Sequence, residues 1–188
     1  LDGHSHSTFE SNVVENEAGK KVIVSQTGSK FDNIGKLVIT KDGKITTEFV
    51  SLESYTAQDE EVAALITEIK AEQEKVTNKV IGKTEVDLTT LDPATGNRAV
   101  RSSETNLGDF CADALRTVLD ADIAIMNGGG VRNKAVTGDI SYQVCKTIHT
   151  FGNVACLQTV TGQQILDALE WGAKDVGTAE SGGFLHPA

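Results

Sequence analysis

A chain of 188 residues with 39% hydrophobic and 23% charged side chains holds enough apolar mass for one ordinary core, or for parts of two, and too much for a disordered chain. With 17 Lys and Arg against 27 Asp and Glu, the net charge of −10 excludes a nucleic acid polymer held by bulk electrostatics. No run reaches the ~18 apolar residues of a transmembrane segment, and three widely spaced cysteines, Cys111, Cys145 and Cys156, make neither a disulfide framework nor a zinc ribbon, so they are expected as small core residues.

The chain opens on Leu1-Asp2-Gly3-His4-Ser5-His6 with no element before it, which reads as a piece cut from something longer. Val22–Val24, Lys36–Thr40 and Lys44–Val50 read as strands, the last two joined by a two-residue hairpin turn at Lys41-Asp42-Gly43-Lys44. From Ala57 the period changes. Asp59-Glu60-Glu61 suits the positive end of a helix dipole, and Val62, Leu65, Ile66, Ile69 and Val76 recur at helical spacing, giving a helix of about five turns. Val80–Leu88 reads as a strand and Asp92-Pro93-Ala94-Thr95-Gly96-Asn97 as a turn.

Beyond that turn helices and strands alternate. Glu104–Leu119 is expected as a helix with Ser102 or Ser103 as its N-cap and with Leu107, Phe110, Cys111, Ala114, Leu115 and Val118 on its apolar face. A buried strand at Asp122–Met126, a helix over Ser141–Ile148, a strand at Val154–Val160 and a helix over Thr161–Ala173 complete the pattern. The fold class is α/β or α+β, with domains divided at 1–54 (β-rich), 55–79 (connecting helix) and 80–188.

Four short motifs carry chemistry. Gly3-His4-Ser5-His6, if extended, would direct both imidazoles to one face, where they could ligate metal, although two ligands do not close a site and residue types alone favour a surface loop or tag remnant. Arg101 precedes the polar helix start Ser102-Ser103-Glu104-Thr105-Asn106, where it could share an anion with the helix N-terminus. Asn127-Gly128-Gly129-Gly130-Val131-Arg132 follows a strand; its glycines permit a tight turn with N–H groups near a ligand, and Asn127 and Arg132 are directed donors. Phe151 in Phe151-Gly152-Asn153 could stack on a ring or simply be buried.

In this order, Gly3-His4-Ser5-His6, Arg101-x-x-Glu104-x-Asn106-x-Gly108, Asn127-Gly128-Gly129-Gly130-Val131-Arg132 and Thr150-Phe151-Gly152-Asn153 resemble the 5′-nucleotidase family, which includes related 2′,3′-cyclic-nucleotide phosphodiesterases. The resemblance implies a calcineurin-like metallophosphoesterase domain with two divalent ions such as Zn or Mn, followed by an α/β domain that binds the nucleotide. His4 and His6 match its last metal-binding motif, Arg101, Asn127, Gly129 and Arg132 match substrate-binding positions, and Phe151 matches one of two aromatics that sandwich the base. Glu104, Asn106 and Gly108 match a helix start whose role is structural. The Asp-x-His and Gly-Asn-His-Glu motifs of the metal domain, and the second aromatic, do not occur, so no catalytic residue is expected in this chain and the metals are not fully bound by it.

The expectation is therefore an interior fragment of a secreted, periplasmic or cell-surface nucleotide phosphohydrolase. It would comprise the β-rich tail of a metal domain whose N-terminal catalytic part is missing, a connecting helix and most of a nucleotide-binding domain, inactive alone. A nucleotide-binding module without catalysis, or a surface domain with a vestigial pocket, are the alternatives.

Overall fold

The computed structural model describes residues 1–135 and 137–188, and the chain divides into two units, Leu1–Leu65 and Ile66–Ala188. Among the described residues, eight strands form four two-stranded sheets, every one antiparallel. Together with four helices this makes a mixed α/β protein of the α+β kind.

The first unit consists of two hairpins. Strands β1 (Thr8–Glu15) and β2 (Lys21–Thr27) pair with an irregularity between Phe9 and Asn12. Asn16 closes their turn, its Oδ1 accepting from the N–H groups of Ala18 (3.0 Å) and Lys20 (2.9 Å). β3 (Asn33–Ile39) and β4 (Ile45–Ser51) pair without interruption from Asn33↔Ser51 to Ile39↔Ile45. Their loop corrects the expected two-residue turn. Thr40 N–H donates to Lys44 O (3.0 Å), Gly43 N–H donates to Thr40 O (2.9 Å) and Gly43 sits at φ +83°, so three residues, Lys41-Asp42-Gly43, make the reversal and only the last needs a left-handed conformation.

Among the described residues of this unit only Ser25 and Gln26 are buried. Aliphatic residues such as Val13, Ile34, Leu37 and Ile39 stay exposed and Ile23 and Val24 are only half-buried, so the hairpins are held by ladder hydrogen bonds and cross-strand pairs rather than by a core.

Helix α1 (Glu60–Thr77) starts where Asp59 Oδ1 accepts from Val62 N–H (3.0 Å), and none of its residues is buried.

The second unit has the core. Val100, Leu107, Cys111, Val131, Ala135 and Ile148 are buried together, with Leu88, Met126, Ile140 and Val144 packed on them. Full burial of a side chain such as Leu107 contributes roughly 1.5–3 kcal/mol. β5 (Val80–Thr84) pairs with β7 (Gly138–Ser141), and β6 (Ile125–Asn127) with β8 (Leu185–Pro187).

β5 ends four residues before Leu88 because Thr84 Oγ1 bonds both the carbonyl (2.7 Å) and the N–H (3.2 Å) of Val86, turning the chain out of the ladder. Helix α2 (Asn106–Leu119) is capped by Thr105, whose Oγ1 accepts from Gly108 N–H (3.3 Å), rather than by Ser102 or Ser103, whose N–H groups donate to Ala99 O in a preceding turn (2.8 and 2.9 Å). Its buried residues are Leu107, Gly108, Cys111 and Ala112, while Phe110 and Val118 are 55% and 82% exposed, against the expected face.

Helices α3 (Tyr142–Ile148) and α4 (Gly162–Ala173) begin at Ser141 and at a reciprocal Thr161–Gln164 capping box, as their sequences indicate. The expected strand at 154–160 does not form. Among the described residues its backbone finds no ladder partner, and Val154 and Leu157 are 87% and 67% exposed. Of the three cysteines only Cys111 is buried, and Cys156 is exposed.

Candidate functional site

The site in the second unit is built where three loops meet behind the β6/β8 ladder. The first is the turn that carries Arg101: Ala99 and Val100 N–H both donate to Thr90 O (2.9 and 3.2 Å), and Arg101 O accepts from Ser181 N–H (3.0 Å). The second is Gly128–Gly130, a single 3-10 turn directly after β6. The third, Ser181-Gly182-Gly183-Phe184, leads into β8.

Close backbone approaches require glycine at 128 and 129, whereas at 130 a Cβ would meet only the movable end of a side chain. A Cβ on Gly128 would lie 1.8 Å from Val100 O, one on Gly129 2.9 Å from Gly182 O, and one on Gly130 2.5 Å from Met126 Cε. Gly128 N–H donates to Phe184 O (2.7 Å), Gly129 N–H to Gly182 O (3.0 Å), and Asn127 Nδ2–H to the same Gly182 carbonyl (2.9 Å). Asn127 and Gly129 thus knit the loops that shape the site.

The cations gather around this knot. Burial of the Arg101 side chain, then the charges of Arg98 and Arg132, push its guanidinium below the usual arginine range, with Glu180 acting in the opposite direction. Arg101 Nε is buried and makes no hydrogen bond among the described residues. Arg132 is exposed, held by its backbone N–H to Ile148 O (3.0 Å) and by Nη1–H to Gly129 O (3.4 Å). Its guanidinium carbon stands 5.5 Å from the ring centroid of Phe151, which is 52% exposed.

In a chain of charge −10, Arg98 and Arg132 therefore both act on Arg101 here, and Arg132 stands beside an accessible aromatic face. Like charges are brought together at a cost unless an anion offsets it, and a guanidinium pair suits the paired oxygens of a phosphate. Phe151 borders a cavity of about 590 Å3, lined by Asn127, His149 and Asn153 and by apolar residues including Leu119 and Leu157. Arg101 and Arg132 do not line it, so it adjoins the cationic cluster as apolar space rather than as the anion-holding part.

A match to the family model described as 5′-nucleotidase, C-terminal domain, spans residues 80–187. The chain belongs to this family. All of it aligns at 32% identity with the trifunctional nucleotide phosphoesterase protein YfkN of Bacillus subtilis, of which it covers 13%, and 90% of it at 27% identity with the cell wall protein Lmo0130 of Listeria monocytogenes, of which it covers 23%. Among solved structures, the 5′-nucleotidase precursor of Thermus thermophilus superposes with a TM-score of 0.61 at 27% identity, over 99% of this chain and 40% of that one. The chain thus spans well under half the length of these relatives.

His4 and His6 lie in the first unit. Both take positive φ, 68° and 59°, in a turn closed by Ser5 N–H to Gly3 O (2.8 Å), so the segment is not extended and the alternation that would direct both imidazoles to one face is absent. Both are exposed, and among the described residues no group of three or more His, Cys, Asp and Glu stands close enough to hold a metal ion. By themselves the described residues do not assemble the two-metal centre that the resemblance implies.

Asn106 ties the start of α2 to the preceding loop, donating from Nδ2 to Asp87 O (2.8 Å) and accepting at Oδ1 from Thr89 N–H (2.8 Å). Sequence reasoning missed Arg98, Glu180 and the Ser181–Phe184 loop as parts of this region. The Ser-Gly-Gly run was the available signal, the same small-residue signature that drew attention to residues 127–130.

Proposed function

We propose that residues 80–188 form most of the nucleotide-binding domain of a nucleotide phosphohydrolase that works with two divalent ions at the cell surface or outside the cell. In this reading Arg101 and Arg132 hold the phosphate, Phe151 offers one face to the base, and Asn127 and Gly129 fix the loops around them. The observation that carries it is the Arg132 guanidinium 5.5 Å from the ring centroid of an exposed Phe151, with Arg101 under the charges of both Arg132 and Arg98. The family membership and the nucleotide phosphoesterase name of the Bacillus relative support it, and the Listeria relative's description as a cell wall protein supports the location. Among the described residues no helix is long and apolar enough to cross a membrane.

What these residues do is bind and orient. An arginine pair neutralises the phosphate dianion and, through bidentate contacts, fixes which oxygen faces outward. The stacked base sets the distance of the phosphate from the aromatic wall. Hydrolysis needs ligands for metal that the described residues do not assemble. His4 and His6 would contribute to the metal centre only when combined with a partner domain.

Calorimetric titration of the chain with AMP, adenosine and inorganic phosphate tests the reading. AMP should bind with a Kd on the order of micromolar to millimolar, more tightly than adenosine or phosphate, and Arg132→Ala should weaken AMP by about tenfold. No heat with any nucleotide would overturn it, and robust phosphate release from AMP by the chain alone with Mn2+ or Zn2+ would overturn the assignment to binding only.

A further inference from the structure

On β8, His186 is completely buried, paired in register with Met126, and plays no part in the site as built above. Its ring is fixed on every side. The face lies on Gly108, where a Cβ would come within 2.3 Å of Nδ1, and the Phe184 ring meets it edge-on at 5.3 Å between centroids and 77° between planes. Nε2 stands 3.0 Å from Val100 O, and Nδ1 stands 3.3 Å from Asp109 Oδ1 on the first turn of α2.

Both neighbours are acceptors. A carbonyl oxygen only accepts, so Nε2 carries a hydrogen and donates it to Val100. A neutral ring would then present the Nδ1 lone pair to the Asp109 carboxylate, and one further proton on the Nδ1···Oδ1 line turns that repulsion into a charge-assisted bond. The carbonyl that Nε2–H holds belongs to the residue before Arg101. Val100 N–H is already committed to Thr90 O, and Arg101 O to Ser181 N–H, so the histidine completes the fixation of the backbone from which Arg101 projects.

We propose that His186 is a positioning residue of the anion site: its Nε2–H bond sets the peptide plane that carries Arg101, and the pair with Asp109 sets the ring. This rests on the reading of Arg101 as a phosphate-holding residue. Space-filling alone would need no donor at Nε2, and the two roles separate in variants. His186→Gln places an amide N–H near the position of Nε2, His186→Asn places one near that of Nδ1, and His186→Leu fills much of the space with no donor.

The experiment is AMP titration of the four proteins, together with nitrogen-15 spectra of histidine- and arginine-labelled chain. His186→Gln should stay within about threefold of the parent affinity, while His186→Asn and His186→Leu lose about tenfold, the worth of one well-made hydrogen bond to the site's backbone. Equal affinities in all three variants would overturn the proposal. If the parent binds no nucleotide, the phosphate reading of Arg101 fails, and the spectra decide the positioning role by themselves. In that case the Arg101 signals should move in His186→Leu and His186→Asn and hold in His186→Gln; unmoved signals in His186→Leu refute it. If no variant folds, the parent spectrum alone decides, because Nε2 of His186 should carry the hydrogen it donates to Val100 O, and an unprotonated Nε2 overturns the proposal.

Discussion

Replacing Gly128 with alanine puts a methyl group where the Val100 carbonyl already is. The added Cβ would lie 1.8 Å from Val100 O and 2.9 Å from its carbonyl carbon. An unstrained C···O contact is about 3.3 Å, so the Gly128 and Val100 segments must separate by roughly 1.5 Å. Neither side yields easily. Val100 is held by Thr90 and His186, and Gly128 by its N–H to Phe184 O, so both obstacles are backbone rather than the end of a flexible side chain. Overpacking of this kind costs on the order of 3 kcal/mol, and the lower entropy of the unfolded alanine chain returns about 0.5 kcal/mol.

The net loss of about 2.5 kcal/mol corresponds to a fall in Tm of roughly 5–10 °C for a chain of this size. Circular dichroism melts measure it, with Gly162→Ala as the control: Gly162 opens α4 at ordinary φ with nothing within 4 Å of its Cβ position, so alanine there should leave Tm unchanged or slightly higher. Because the displaced carbonyl adjoins Arg101, AMP affinity should fall together with Tm. A Gly128→Ala protein melting within about a degree of the parent would refute the packing argument.

Leu107→Ala removes a fully buried side chain from the centre of the core and should destabilise the second unit by about 2–5 kcal/mol, read from urea unfolding. Thr161→Ala deletes one half of the α4 capping box and should cost about 1 kcal/mol, again by urea unfolding, because the Gln164 backbone N–H loses the Thr161 hydroxyl it donates to. Burial pushes the Cys111 thiol up to about 12, so between neutral pH and pH 9 it stays protonated and unreactive, whereas the exposed Cys156 should be alkylated first. Mass-spectrometric timing of iodoacetamide labelling checks this, and equal rates at the two residues would contradict it.

Much of the fold is legible in the sequence because helices and tight hairpins are local. The capping residues Asp59, Ser141 and Thr161 stand within three residues of the N–H groups they serve, and β3 and β4 are joined by only Thr40 to Lys44. The order of short motifs was likewise enough to indicate the 5′-nucleotidase C-terminal domain, whose model covers residues 80–187. Segment 154–160 has the apolar, β-branched composition of a strand, yet composition does not supply a ladder partner. β7 and β8 are four and three residues long, too short for periodicity to register, and exist because β5 and β6 lie alongside them.

The sequence by itself singled out Arg101, Arg132 and Phe151 as candidates to hold an anion and a ring, since each stands beside a small-residue turn. Tertiary structure decided which of them meet. It set Arg101 near Arg132, Arg132 over Phe151, and a buried histidine 86 residues away against the carbonyl before Arg101. It also committed the amides of Gly128, Gly129 and Asn127 to the 182–184 loop. The physical reason is the same in each case: these contacts join segments far apart in the chain, and their energy comes from burial and from satisfying backbone groups that are placed only when the whole unit closes.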